Sequence, residues 1–231
     1  MKIAVLPARG GSKRIPRKNI KQFCGKPVIA WSIEAAKRAK CFDAIIVSTD
    51  DEEIAGIAKE YGAEVPFVRP KELSDDFTGT ISVIKHAICW IEKNRGKIDL
   101  ACCIYATAPF VQSGDIKNGL DLLLAKDAPY VFSTTRYPFP IQRALKINQQ
   151  GYVEMFNPEN YSTRSQDLTE AFHDAGQFYW GKPDSWLNEL PIFNSKSYPI
   201  ILPSYMVQDI DTLEDWERAE MLFKVMKGAG K

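Results

Sequence analysis

The chain has little of several things. Of its 231 residues only two are histidines, His86 and His173, and its five cysteines, Cys24, Cys41, Cys89, Cys102 and Cys103, include no C-x-x-C pair. An odd number of thiols without paired spacing argues against a disulfide framework, and so few histidines argue against zinc. Cys102 and Cys103 fall in an apolar run and read as small buried hydrophobes. No stretch approaches the roughly 18 uninterrupted apolar residues of a membrane helix, and the apolar run at 3–6 is too brief for a signal peptide. A cytoplasmic protein without a membrane partner is expected. Charge of one sign is missing too: 30 Lys and Arg stand against 29 Asp and Glu, a net charge of +1, which offers no long-range attraction to nucleic acid. Any anionic ligand has to be held by local charge.

What is present is a rhythm of strands and helices. Apolar runs at 2–6, 43–48, 100–105 and 130–134 read as strands, and helical apolar spacing follows them: Ile29, Ile33, Ala36; Ile54, Ile57, Ala58, Tyr61; Ile84, Ile88, Ile91; Ile116, Leu120, Leu123. Asp50 or Asp51 is placed to cap the second helix, and Thr80 begins the third. Strands alternating with helices predict an α/β fold, a mostly parallel sheet covered on both faces, with ligands at the carboxyl ends of its strands. The length allows one sizeable α/β domain plus an appendage. The rhythm loosens from 138 to about 193, where strand-like pieces (152–156, 176–180) are short, so this segment is expected to be an insertion or lobe. A last strand at 198–202 precedes Thr212-Leu213-Glu214-Asp215, capping-box spacing before a helix with Leu213, Trp216, Ala219 and Phe223.

The densest chemistry is the loop after the first strand. From Arg9 to Lys18 it carries five cations in ten residues around Gly10 and Gly11. It lacks the spacing of a P-loop and of Gly-x-Gly-x-x-Gly. Glycines that let backbone approach phosphate, together with Lys and Arg to neutralise it, suit a triphosphate. Asp209-Ile210-Asp211 is the second constellation. If extended, its two carboxylates face one way and suit Mg2+, which takes oxygen ligands and keeps positions for substrate phosphates; equally, Asp211 serves as a cap for the last helix. In the third region Arg164 is able to pair with a carboxylate, while Gln166, His173 and Gln177 offer hydrogen bonds to a polar ligand. His173 alone reads more readily as structural, and Phe178, Tyr179 and Trp180 as core.

The loop at 6–19, Gly25-Lys26-Pro27, Val47-Ser48-Thr49-Asp50, Arg69-Pro70-Lys71-Glu72-Leu73, Ala106-Thr107-Ala108-Pro109 and Asp209-Ile210-Asp211-Thr212 together resemble the CMP-sugar synthetases, or acylneuraminate cytidylyltransferases, over nearly the whole chain. The resemblance implies a Rossmann-like nucleotidyltransferase sheet, CTP and a nonulosonic acid as substrates, and a homodimer built through the 138–193 region. It implies that Arg9, Gly10, Gly11, Ser12, Lys13, Lys18 and Asn19 lie against the nucleotide and its triphosphate, with Arg69 and Thr80 at the cytidine end. Lys13 and Lys18 would act on the leaving pyrophosphate, Asp209 and Asp211 would hold Mg2+, and the segment with Arg164, Gln166, His173 and Gln177 would meet the sugar.

The chain also departs from that family. Sialic acid synthetases carry Leu-Gln-Pro-Thr-Ser-Pro-Leu-Arg where this chain has Ile104-Tyr105-Ala106-Thr107-Ala108-Pro109-Phe110-Val111, so the sugar-recognising Gln and Arg are replaced by Tyr105 and Val111. That turn, with 139–144 and 161–166, is similar to the branch that activates pseudaminic acid for bacterial surface or flagellar glycosylation. A more apolar pocket suits a deoxy sugar with methyl and acyl groups. The alternatives are a synthetase for sialic, legionaminic or another ulosonic acid, a metal-dependent glycosyltransferase, and a nucleotide-binding protein without catalysis.

Overall fold

Strands buried on both faces organise the centre of the molecule. In a computed structural model, which describes residues 1–228, the chain forms β1 (Lys2–Pro7), the small hairpin β2 (Gln22–Phe23) and β3 (Lys26–Pro27), α1 (Val28–Ala39), β4 (Ala44–Ser48), α2 (Glu52–Glu60), α3 (Thr80–Arg95), β5 (Leu100–Ile104) and α4 (Ser113–Lys126). It continues through β6 (Tyr130–Arg136), the hairpin β7 (Leu145–Ile147) and β8 (Val153–Met155), β9 (Phe172–Gly181), α5 (Pro183–Leu187), β10 (Tyr198–Leu202) and α6 (Leu213–Gly228). Six strands make the main sheet in the order β10-β6-β9-β5-β1-β4. All are parallel to their neighbours except β9, which runs antiparallel to both β5 and β6.

Alternate residues of each buried strand feed two cores. Ala4 and Leu6 of β1 and Cys102 and Ile104 of β5 pack with Ile29, Ile33, Ile54, Ile116 and Leu120 from α1, α2 and α4. Ile3, Val5, Ala101 and Cys103 pack on the opposite face with Ile84, Ile88 and Ile91 of α3 and Trp186 of α5. Both central cysteines are fully buried, which pushes their thiols up and out of reach of chemistry at neutral pH. Caps fall where the sequence places them. Asp51 accepts from the Ile54 amide at 3.0 Å, and Thr212 and Asp215 cap α6 reciprocally, with Thr212 N to Asp215 Oδ2 at 2.9 Å and Asp215 N to Thr212 Oγ1 at 3.2 Å.

One expectation is corrected. The lobe expected over 138–193 does not extend that far, because the ten-residue β9 runs through the middle of the sheet and α5 packs on its face. Aromatic residues at 178–180, mostly fully buried, gain more from the sheet interior than from a surface lobe. What stands apart from the main sheet is the β7–β8 hairpin and its flanks, whose Phe139, Ile147 and Tyr161 are 79, 76 and 77% exposed.

Gly119 marks how closely α4 approaches the sheet: a Cβ there would sit 2.8 Å from Phe178 Cε2 and 2.9 Å from Trp180 Cδ1. Both rings are fixed, Trp180 by its hydrogen bond to the Ile116 carbonyl at 2.8 Å. Gly119→Ala gains about 1 kcal/mol of helix propensity, yet overpacking costs roughly 1–3 kcal/mol. We expect a lower urea midpoint for this variant; a higher one would contradict the packing described.

Candidate active site

A third apolar cluster builds the site by joining the two ends of the chain. Ile15 of the cationic loop and Ile210 of the Asp-Ile-Asp stretch are both buried in it, with Phe23, Val28, Phe110, Trp216 and Phe223. Ile210 is buried, while its neighbours Asp209 and Asp211 remain exposed and half-buried. At the same place Lys18, at the start of a 3-10 turn, donates from Nζ to the Ile210 carbonyl at 2.7 Å and lies 3.5 Å from Asp211 Oδ1. Arg14 reaches Asp211 Oδ2 at 2.8 Å. The Asp209 carboxyl is pushed above its ordinary range, by partial burial first and by Asp211 second, with Lys18 opposing.

The cations of the loop divide into roles. Arg17 adopts a left-handed conformation and is spent on structure, donating from Nη2 to Asp51 Oδ1 at 2.9 Å, pairing also through Nη1 with the same carboxylate, and reaching Glu53. Arg9 and Lys13 both pair with Asp76, Arg9 Nη1 to Oδ1 at 2.6 Å. Asn19 is buried and donates to the Arg9 carbonyl at 2.8 Å, which fixes the loop on itself.

A cleft of about 280 Å³ lies between this loop and the start of α3. Arg9, Ser12, Lys13, Lys18 and Asn19 line it on one side, and Arg69, Thr80 and Tyr105 on the other. Its size is near the lower bound of small-molecule sites, about 300–1,000 Å³, enough for part of a nucleotide. Arg69 is 4% exposed, donates from Nε to Ser48 Oγ at 3.1 Å and pairs with the Ser48 carbonyl. Burial lowers its pKa to about 10, with Asp50 opposing, so it stays charged at neutral pH. Thr80 Oγ1 and the Tyr105 hydroxyl are 3.0 Å apart, and burial raises the phenol.

The remaining expected residues fall outside the cleft lining. Gly10 gives its amide to Asp50 Oδ1 at 2.9 Å instead of leaving it for a ligand, and it is glycine because a Cβ would lie 2.7 Å from Asp51 Oδ2. Gly11 has open space around it. Arg164 is exposed and held in a two-bond pair with Asp167 at 2.7 and 3.2 Å, and Gln166 lines a separate depression with Tyr137 and Phe139. His173 Nδ1 faces the Asp174 carbonyl at 2.9 Å. Gln177 is 3% exposed and gives its amide to the Met206 carbonyl at 2.6 Å, leaving its own Oε1 without a partner. Asp209 and Asp211 sit at the Lys18 rim rather than in the lining. Among the described residues no group of three or more His, Cys, Asp or Glu could hold a metal ion, and these two carboxylates form a pair.

Sequence reasoning missed Asp76 and Arg14. The Asp75-x-x-Thr78 spacing was the available signal, since Asp75 Oδ1 accepts from the amides of Phe77 and Thr78 at 3.0 and 2.7 Å in a turn typical of Asp.

The chain is similar to known proteins over nearly its whole length. A family model described as Cytidylyltransferase matches residues 3–219. A pseudaminic acid cytidylyltransferase of Campylobacter jejuni is 46% identical over 96% of both chains. A Helicobacter pylori protein named as pseudaminic acid cytidylyltransferase and UDP-2,4-diacetamido-2,4,6-trideoxy-beta-L-altropyranose hydrolase is 36% identical over 90% of this chain and 40% of its own length. Among solved structures, a CMP:2-keto-3-deoxy-manno-octonic acid synthetase complexed with CTP has the same fold, with a TM-score of 0.71, 17% identity, and coverage of 97% of this chain and 99% of that one. The chain belongs to the cytidylyltransferase family.

Asp215 Oδ2 accepts from the Asp211 amide at 3.2 Å as well as from Thr212, so the α6 cap also fixes the backbone of the second aspartate. Asp215→Ala is expected to lower the urea midpoint by removing half of this capping box; an unchanged midpoint would remove the cap from the account.

Proposed function

We propose that this chain transfers CMP from CTP to the anomeric hydroxyl of pseudaminic acid and releases pyrophosphate. The observation that carries the reading is the Lys18 bridge, which sets the cationic loop and the Asp-Ile-Asp stretch at one end of one cleft. The activity for which the Campylobacter relative is named supports the sugar, and the CTP held by the structural neighbour supports the nucleotide. Val111, standing where sialic acid synthetases place Arg, is 2% exposed and packed in the core, and Tyr105 is tied to Thr80; both favour a sugar recognised with less polar contact.

In this reading Arg9, Ser12, Lys13 and Lys18 grip the triphosphate, and Arg69 and Thr80 the cytidine end. The anomeric oxygen attacks the α-phosphorus in line, and the bond from that phosphorus to the bridging oxygen of pyrophosphate breaks. Lys13 and Lys18 stabilise the charge that develops on the leaving group, and Asp209 accepts the hydroxyl proton. Asp209 and Asp211 would hold Mg2+ through their hard carboxylate oxygens, where a divalent cation would relieve the repulsion between them and supply Lewis-acid polarisation of the phosphate and the hydroxyl. Arg164, Gln166, His173 and Gln177 would meet the sugar only once the site is completed beyond the single-chain cleft. The exposed apolar side chains around β7 and β8 favour a second copy of the chain as that completion, in the cytoplasm where CTP is made.

Incubation with CTP, Mg2+ and a panel of nonulosonic acids, with the CMP-sugar read by mass spectrometry, should give CMP-pseudaminic acid first. A preference for sialic or legionaminic acid would overturn the sugar, and no pyrophosphate release with any sugar would overturn the reaction. Lys18→Met is expected to lower kcat by about 10²–10³. Chelation by EDTA should abolish turnover and added Mg2+ restore it; turnover indifferent to EDTA would remove the metal from the mechanism.

A further inference from the structure

Two of the cations assigned to the triphosphate already hold an anion. Asp76 Oδ1 lies 2.6 Å from Arg9 Nη1, and its Oδ2 pairs with Lys13, so a single carboxylate spans both groups inside the cleft that all three line. The segment that presents it is organised for the purpose. Residues 71–73 form a 3-10 turn, and Asp75 Oδ1 then accepts from Phe77 N, Thr78 N and Thr78 Oγ1 at 3.0, 2.7 and 2.7 Å. Thr78 Oγ1 also lies 3.2 Å from the Glu72 carbonyl, which ties the turn to its own start. The backbone around Asp76 is therefore shaped by Asp75, while the Asp76 side chain is committed to no backbone group and points its charge at Arg9 and Lys13.

A carboxylate bridging a guanidinium and an ammonium presents acceptor oxygens to both, as a phosphate does, with less charge. Without it, the like charges of Arg9 and Lys13 would lie close together uncompensated. Both cations hold the Asp76 carboxyl below its ordinary range, so it is ionised whenever the site is able to bind nucleotide. Partly exposed ion pairs of this kind are individually weak, so a triphosphate is able to displace them while still losing some affinity in doing so.

We propose that Asp76 is a built-in phosphate surrogate, an anion that CTP must displace from Arg9 and Lys13 and that returns to them as pyrophosphate leaves. It thereby sets the affinity for ligands carrying terminal phosphates and leaves those without them untouched. This rests on the reading that Arg9 and Lys13 hold the triphosphate.

Isothermal titration of CTP, pyrophosphate and CMP into the full chain tests it, with wild type, Asp76→Asn and Glu72→Gln compared. Glu72 sits on the same segment and outside the cleft lining, so its variant measures the general effect of losing one negative charge. Asp76→Asn is expected to tighten CTP and pyrophosphate about three- to ten-fold, the equivalent of two weak ion pairs, with CMP unchanged and Glu72→Gln without comparable effect. Weaker or unchanged CTP binding by Asp76→Asn would overturn the proposal and make Asp76 a positioning residue for the two cations. Equal tightening of CMP, or by Glu72→Gln, would also overturn it. Failure of wild type to bind CTP at all would instead strike the proposed function.

Discussion

The hydrogen bond from the Lys18 ammonium to the Ile210 carbonyl spans 192 residues of sequence, and the site exists because that distance in the chain is closed. A charged hydrogen bond of this kind contributes about 1.5–3 kcal/mol, too little to bring two chain ends together unaided. The closing is done by the apolar cluster beneath it, where the ring of Phe23 meets Phe110, Trp216 and Phe223 edge-on at centroid distances of 6.4, 5.5 and 5.3 Å. Aromatic packing holds α6 against the hairpin that follows the cationic loop, and the polar bridge then sets the register of the chemistry. Packing decides that the ends meet, and Lys18 decides which atoms do.

The charge balance follows from that constraint. A nearly neutral chain concentrates five cations in one loop, and the fold assigns each a carboxylate: Asp76 to Arg9 and Lys13, Asp211 to Arg14 and Lys18, and Asp51 with Glu53 to Arg17. These pairs differ in kind. The Arg17 pair is two-pronged, shares its carboxylate with the cap of α2, and serves the backbone. The pairs at the cleft are single contacts to side chains with substantial exposure, which more highly charged ligands are able to replace. A rigid anchor beside exchangeable partners lets the loop keep its shape while its charges change hands.

Much of this is legible from local pattern. The strand-to-loop transition at Pro7, the alternation that splits β1 between two cores, the Asp51 cap and the Thr212–Asp215 box all depend on residues within a few positions of one another, and they fall where spacing places them. What is not legible depends on pairing across the chain. β9 reads as a fragment of a polar insertion because His173, Asp174 and Gln177 interrupt it; its place between β5 and β6 is set by partners about 36 to 80 residues away. Asp76 reads as one of two ordinary loop acids, and only its approach to Arg9, 67 residues earlier, gives it meaning. The separation of Arg164 and Gln166 from the cleft has the same origin, since proximity to a motif in sequence says nothing of which side of a sheet the chain next visits.

A structure determined with CTP and Mg2+ bound is the measurement that reaches the central claim most directly. The phosphate tail is predicted to lie between the Lys18 ammonium and the carboxylates of Asp209 and Asp211, with the ion on the aspartate side. A nucleotide whose phosphates lie away from Lys18, or an ion bound elsewhere than on the two aspartates, would contradict it.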